Sequence, residues 1–187
     1  MRAFHALIFS RRNAKERVVV GRELGGFDWT LFRKGRPFLE AFPPAVKLFV
    51  NDGPAPDYLY NPLSWPICSM RLRQILEDGA GHDFQSVPAP LHHATSGERI
   101  EGYTIVNVTT IVDCLNIDKS TVSYMQIGGK QILHVIKYAL NEAMIPHDVH
   151  LFRVKDSLTS IVLSDELATQ TVGKGLKGLA FVRLTSV

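Results

Sequence analysis

Ile161-Val162-Leu163-Ser164-Asp165-Glu166-Leu167 is the stretch of this chain that says most about its fold. Its first three residues are apolar, and two of them are β-branched, which predicts a short buried strand. Ser164 then supplies a preferred helix N-cap. The two acidic residues after it would lie in the first helical turn, where the helix dipole favours negative charge. The stretch therefore predicts a strand that passes directly into a short helix.

The residues after this stretch complete the pattern. Leu167 and Val172 supply apolar contacts for the helix. Gly173 and Gly175 predict its end, because glycine readily adopts the left-handed conformation that closes many helices. Leu179–Leu184 then predicts a final strand.

An earlier part of the chain repeats this order. Ser69 follows Ile67-Cys68 as an N-cap, apolar residues recur at helical spacing, Gly79 predicts the helix end, and Phe84–Val87 predicts a strand. A short strand is also predicted before each copy, at 57–60 and 150–153. We predict a pseudo-repeat of strand, serine cap, short helix, glycine stop and strand. The alternative is that two common strand–helix–strand units resemble each other by chance.

Further strands are predicted outside the two copies, at Ala3–Phe9, Arg17–Val20, Ala45–Val50, Tyr103–Val108 and Ile111–Leu115. Residues 116–120 predict a polar turn. Residues 132–140 fit a helix or a strand, and we predict a strand because Pro146 and the next strand follow closely. The predicted fold class is α+β, with a mixed or antiparallel sheet and a few short helices.

Length and composition bound the organisation of the chain. The 187 residues, 45% apolar and 21% charged, predict a single globular domain over 1–187, with a loop-rich basic part at 1–56 and a remainder at 57–187. No apolar run approaches the ~20 residues that span a bilayer. The chain opens without a signal-like apolar run, and Cys68 and Cys114 both lie among apolar residues, as buried free thiols do. We therefore expect a cytoplasmic protein.

The basic residues are concentrated at the start of the chain. Residues 1–40 carry nine Lys or Arg against four Asp or Glu, whereas 41–187 carry twelve against fourteen. Trp29, Phe32, Arg33, Lys34 and Arg36 interleave aromatic rings with cations, a pattern typical of nucleic-acid binding. The alternative is a hairpin that packs its aromatic rings onto the core, which we favour because the charges are scattered and form no run. Nucleic acid is therefore not the expected partner.

The motifs of common catalytic and metal sites are weak here. Gly173–Gly178 has G-x-G-x-x-G spacing, but it follows a predicted helix and precedes a strand, the reverse of a nucleotide-binding turn. His92-His93 and the pair His147 and His150 lack partners at ligand spacing. The two cysteines form no C-x-x-C pair, and thiols in apolar runs are unreactive. We predict no catalytic residues, no metal site and no cofactor.

Five segments of the second half carry a family resemblance. They are a helix of the form S-x-x-L-r-x-x-L at 69–76, a strand gY-x-x-x-N at 102–107, a turn D-x-x-D-x-x-x-S at 113–120, a strand h-x-F-R at 150–153 and a closing v-S-x-x-L…tG-x-x-F at 161–181. In this order they resemble the eleventh-numbered immunity protein family of bacterial polymorphic toxin systems. Asn116 departs from the pattern, because it stands where the turn would carry Asp.

The resemblance implies a non-catalytic antitoxin that binds and neutralises a cognate toxin in the cytoplasm by occlusion. If so, aromatic and arginine side chains would anchor the interface. We expect these anchors outside the shared scaffold, at Trp29, Phe32, Arg33 and Arg36. Two other functions stay open: a small hydrolase-like enzyme that uses His92, His93 or Cys114, and a nucleic-acid-binding module. An enzyme predicts a deep pocket, whereas an immunity protein predicts a flat or grooved surface.

Overall fold

The computed structural model describes residues 2–10 and 16–187, which form three β-sheets, one separate hairpin and two α-helices. Sheet I contains β1 (Phe4–Phe9), β10 (Ile111–Val112), β13 (Ala139–Leu140), β14 (Leu151–Val154), β15 (Ser157–Ser164) and β16 (Leu179–Ser186). Sheet II contains β4 (Tyr58–Leu59), β5 (Ile67–Ser69), β6 (Phe84–Pro88) and β9 (Tyr103–Val108). Sheet III contains β2 (Val19–Glu23), β3 (Lys47–Val50), β7 (Leu91–His93) and β8 (Arg99–Ile100). The hairpin consists of β11 (Thr121–Ile127) and β12 (Lys130–Lys137), and the helices are α1 (Met70–Ala80) and α2 (Asp165–Val172). Short 3-10 helices cover Leu31–Arg33 and Glu142–Met144.

The sheets pack in layers, because their strands alternate apolar side chains between two faces. Sheet II sends Ile67 and Ile105 into a first core that it shares with sheet III. It sends Cys68 and Val106 to its other face, into a second core that holds both helices and one face of sheet I. The opposite face of sheet I carries a third core around Phe152. Sheet II is therefore buried on both faces.

Two parts of the molecule share one topology. Unit one is β4-β5-α1-β6 with β9 as its inserted strand, and its sheet order is β4-β5-β9-β6. Unit two is β14-β15-α2-β16 with β1 inserted, and the matching part of sheet I has the order β14-β15-β1-β16. Every neighbouring pair in both units is antiparallel. The predicted pseudo-repeat is thus present, and its central strand comes from different places in the chain.

The two units also match in detail at their serine caps. Ser69 and Ser164 have nearly the same backbone angles, and each side chain accepts a hydrogen bond from the amide three residues on. The amide of Ser69 donates to the Asp57 carbonyl at 2.8 Å, and that of Ser164 donates to the His150 carbonyl at 2.9 Å. In both units the strand therefore passes into the helix through the same serine N-cap geometry.

Carboxylates of unit one hold backbone amides of unit two. Asp83 is fully buried, and its carboxylate accepts from the amides of His150 and Leu151, where β14 begins. The Asp57 carboxylate accepts from the Lys177 amide, just before β16. The units are thus joined by charged hydrogen bonds as well as by the helices in the second core.

The α+β class is confirmed, and so are most of the predicted elements. The region 132–140 is strand, as predicted, and 116–120 is a hydrogen-bonded turn. Gly173 caps α2, so the glycine-rich segment is a cap and turn. The predicted hairpin around Trp29 is wrong, since Leu31–Arg33 is a 3-10 helix, but its aromatic rings do pack on the core. No helix of the described part of the chain is long and apolar enough to cross a membrane.

Candidate partner-binding site

The residues predicted as toxin contacts lie in and around the 3-10 helix at Leu31–Arg33. Phe32 is 0% exposed and packs within the first core, among the rings of Phe27, Phe38, Phe42 and Trp65. Its ring therefore belongs to the core and presents no surface to a partner. The Trp65 indole donates to the Trp29 carbonyl at 2.8 Å, which fixes the segment on the core.

The other three predicted contacts reach the surface. The Arg33 guanidinium lies over the Trp29 ring, 5.4 Å from its centroid, and both side chains are half-buried. Arg36 is exposed, and its carbonyl accepts a hydrogen bond from the Asn107 side chain. The structure therefore brings Trp29 and Arg33 together as a stacked pair that stands beside the groove described next.

A groove of about 720 Å³ lies between the β11–β12 hairpin and the outer face of sheet I. Its sheet side includes Ile8 and Val182, and its hairpin side includes Met125, Ile132 and Ile136. These five apolar side chains are between 42% and 62% exposed. A contiguous apolar patch on a protein surface commonly marks a binding site.

A cluster of hydroxyl groups fixes the hairpin over the sheet. The Tyr138 hydroxyl, just beyond the end of β12, lies 2.7 Å from the Ser157 hydroxyl and forms a second short hydrogen bond with Ser160. Both serines belong to β15. These side-chain hydrogen bonds therefore join the chain just after β12 to β15, beside the groove.

The charges on the groove are mainly positive. Arg33 and Lys137 line it, together with a single carboxylate, that of Asp156, and Arg183 borders it from β16, with its side chain on the helix face beside that of Phe181. Within residues 2–10 and 16–187, neither Lys137 nor Arg183 forms an ion pair. An apolar surface flanked by unpaired cations is complementary to an apolar segment that carries acidic residues.

The groups that an enzyme would need lie elsewhere and are held in structural contacts. Burial raises the pKa of the Cys114 thiol to about 12, and raises the pKa of the Cys68 thiol further, so both thiols stay protonated at neutral pH. His92 contacts the Gly97 carbonyl within a hairpin, and His93 lies 3.6 Å from Asp52. Among the described residues, no group of three His, Cys, Asp or Glu side chains is arranged to hold a metal ion.

Sequence reasoning missed the hairpin strand β11, and with it the groove. The signal was present, because Gly128-Gly129 links two β-rich runs, and both glycines have positive φ, of 59° and 76°. Two consecutive residues of positive φ are typical of a two-residue β-hairpin turn. The groove itself depends on how the hairpin lies on sheet I, which the local pattern does not contain.

A comparison with protein families identifies the scaffold around this groove. The immunity protein family (Imm11) matches residues 5–186. The chain belongs to this family. The match includes residues 5–56 as well as 57–186, where the sequence motifs were found, so the N-terminal part with β1 is part of the family scaffold. The expectation that the anchors at 29–36 lie outside the shared scaffold is therefore wrong. No curated protein matched the chain.

Membership in the immunity protein family gives the chain an immunity role and implies a toxin partner. It also fits the structure of unit two. That unit needs β1, from the start of the chain, as its central strand between β15 and β16. A family match restricted to the second half of the chain would have omitted β1, the central strand of unit two.

Proposed function

We propose that this protein binds a cognate bacterial toxin in the cytoplasm and neutralises it without catalysis, by covering the toxin's active site or the approach to it. The observation that carries the proposal is the match to the immunity protein family over residues 5–186. The groove between the hairpin and sheet I supports it, because it offers an apolar surface bordered by cations.

Binding would draw on two physical effects. Full burial of an exposed apolar side chain contributes roughly 1.5–3 kcal/mol, and the groove presents five such side chains. Association and ordering consume part of that gain. The cations Lys137 and Arg183 would steer an acidic toxin surface toward the groove and speed the encounter.

The predicted contacts extend this surface on one side. Arg33 lines the groove and stacks on Trp29, so the pair can anchor a partner as aromatic and arginine residues do at many interfaces. Arg36, which follows Arg33 by three residues, is exposed. We retain Trp29, Arg33 and Arg36 as proposed toxin contacts. Phe32 supports them from the core.

Co-expression with the product of the adjacent upstream gene, as the candidate toxin, tests the proposal. We expect cells that make both proteins to survive, and the two proteins to purify as a stable complex. Ile136→Asp places a charge on the groove wall and should weaken the complex at least about tenfold. Leu39→Asp is the matched control, because Leu39 is 89% exposed and does not line the groove. Cell death in the presence of the unmodified protein would refute the proposal.

A further inference from the structure

Strand β16 is an edge strand along most of its length. Six of its residues pair with β1 in a continuous antiparallel register, Leu179 with Phe9 through Leu184 with Phe4. On its other side, β13 pairs only with Thr185 and Ser186. Within the described residues, nothing else pairs with that side of 179–184. A row of backbone hydrogen-bonding groups is therefore open to a partner.

The register shows which groups face outward. The Ser10 amide donates to the Gly178 carbonyl at 3.0 Å, so that pair is hydrogen-bonded, and alternate pairs along the ladder follow it. Residues 180, 182 and 184 therefore point their amides and carbonyls toward β1. Leu179, Phe181 and Arg183 point theirs outward. The Thr185 amide, next in the outward series, donates to the Tyr138 carbonyl, as this assignment requires.

The usual protections of an edge are nearly absent from this one. Proteins shield edge strands with proline, bulges, inward charges or a covering segment. Residues 179–184 contain no proline, their register with β1 has no bulge, and Arg183 is their only charged residue. A regular apolar edge of this length is a template for another strand.

A groove lies beside the β16 edge on each face of sheet I. On the outer face, Val182 borders the apolar groove under the hairpin. On the helix face, Phe181 and Val172 border a second groove of about 300 Å³. An added strand alternates its side chains between the two faces, so both grooves would be filled at once.

We infer that the toxin binds by β-strand addition, with an extended toxin segment pairing along Leu179–Leu184 of β16. The cations Lys137 and Arg183, which form no ion pair within the described residues, select a segment whose apolar residues are accompanied by Asp or Glu. This inference rests on the proposed toxin-binding function and adds the mode of recognition. Backbone pairing supplies affinity, and the two grooves supply selection among toxin segments.

Residue-resolved amide exchange, measured by NMR on the full chain with and without the toxin, tests the inference. In the free protein, the amides of residues 180, 182 and 184 should exchange slowly, and those of Leu179, Phe181 and Arg183 rapidly. In the complex, the three outward amides should slow by about a hundredfold or more, because each gains a buried hydrogen bond. Unchanged exchange of these three amides in the complex would overturn the inference.

A proline on the edge provides a second test. Arg183→Pro removes an outward amide while leaving the hydrogen bonds to β1 in place, and proline is tolerated at such edge positions. It should weaken toxin binding about a hundredfold and abolish protection of the cells. Arg183→Ala is the matched control, since it removes the charge but keeps the amide, and it should cost about tenfold or less.

The outcomes separate this inference from the proposed function. If the unmodified protein neither protects nor binds, the proposed function fails and the inference fails with it. If it protects, but the outward amides stay unprotected and Arg183→Pro binds as well as Arg183→Ala, the function stands and strand addition is wrong. Protection of the edge in the toxin-free protein that rises with its concentration would assign the edge to a second copy and also overturn the inference.

Discussion

Units one and two have the same strand order, the same serine cap and the same helix position, yet they treat their last strand differently. In unit one, β6 is the end strand of its sheet and its ladder with β9 ends at Pro88, while the Gln85 side chain accepts from the Phe38 amide and donates to the Phe38 carbonyl. In unit two the equivalent position is Ala180, and within the described residues no strand pairs with the outer side of β16 over 179–184. One scaffold thus carries one last strand that ends in proline and is tied by Gln85 to the N-terminal part, and one regular apolar last strand without these features.

A second difference lies in the first strand of each unit, at the position that follows Leu59 in unit one and Phe152 in unit two. Unit two carries Arg153 there, and unit one carries Tyr60. Arg153 is 1% exposed, and its guanidinium donates to the carbonyls of Val108, Leu158 and Phe32. It therefore joins unit one, unit two and the N-terminal 3-10 helix. Burial lowers the pKa of Arg153 to about 10, so it remains charged at neutral pH.

Replacement of this arginine should have the largest effect on stability. Arg153→Met fills much of the same volume but leaves three buried carbonyls without donors, so we expect a loss of about 3–5 kcal/mol in the free energy of unfolding. Urea unfolding of the purified variant measures it. Arg153→Lys is the control, because a single ammonium group can satisfy only part of the set and should recover a fraction of the loss. A change below about 1 kcal/mol would mean that the three bonds do not join the units.

Removal of each serine cap tests whether the two caps contribute equally to the free energy of unfolding. Ser69→Ala and Ser164→Ala each remove one helix cap, which typically costs about 1 kcal/mol. Ser69 also donates to the Asp57 carboxylate at 2.7 Å, whereas Ser164 contacts His150. A hydrogen bond to a charged group is worth more, so Ser69→Ala should cost about 2 kcal/mol and Ser164→Ala about 1. Equal losses in urea unfolding would show that the carboxylate adds nothing.

Much of this comparison could be predicted from the sequence. The two caps, both helices and the strands around them follow local rules of propensity and hydrophobic spacing, and Ser164 and Ser69 mark them directly. The predicted helix end at Gly79 is wrong, because α1 continues through Ala80, and Gly173 ends α2 in a right-handed conformation, with φ of -61°. The family motifs also lie in these elements. Local patterns were therefore sufficient for the repeated unit and for the family.

The candidate site could not be predicted in the same way. The groove joins residues from β1, the hairpin, β15 and β16, which are far apart in the chain, and its shape depends on how the hairpin packs. The aromatic and basic pattern at Trp29 and Phe32 suggested a surface, but a ring can serve a core or an interface equally well, and Phe32 is buried. The difference between the two last strands depends in part on a side-chain contact of Gln85 with the distant Phe38, which no local pattern encodes.

Alkaline pH should distinguish the units through Cys68, whose place in unit two is taken by Leu163. Burial, and then the Asp57 charge, raises the pKa of the folded thiol well above the ordinary value of 9.0. Above pH 9.0 the unfolded chain therefore loses a proton that the folded chain keeps, and stability falls by about 1.4 kcal/mol per pH unit from this group. Cys68→Ala should remove that slope, leaving the contributions of Cys114 and the buried tyrosines.

Urea unfolding between pH 8 and pH 11 measures the slope for both proteins. Cys114→Ala is the matched control. Burial also raises the pKa of the Cys114 thiol, to about 12, but Cys114 lies in the third core, away from the serine caps of both units. Parallel stability curves for Cys68→Ala and the unmodified chain would contradict the prediction.

The smallest expected effect concerns the contact between Gln85 and Phe38. Gln85→Ala removes both hydrogen bonds to Phe38 and makes unit one resemble unit two, where Ala180 stands. Because β6 stays paired with β9 and its apolar contacts remain, we expect a loss of only about 1 kcal/mol. Toxin protection should be unchanged, since the groove and β16 lie in the other unit. If Gln85→Ala abolished protection while the fold remained intact by circular dichroism, the surface around Gln85 and Phe38 would be the binding surface, and the contrast between the two last strands would have to be reversed.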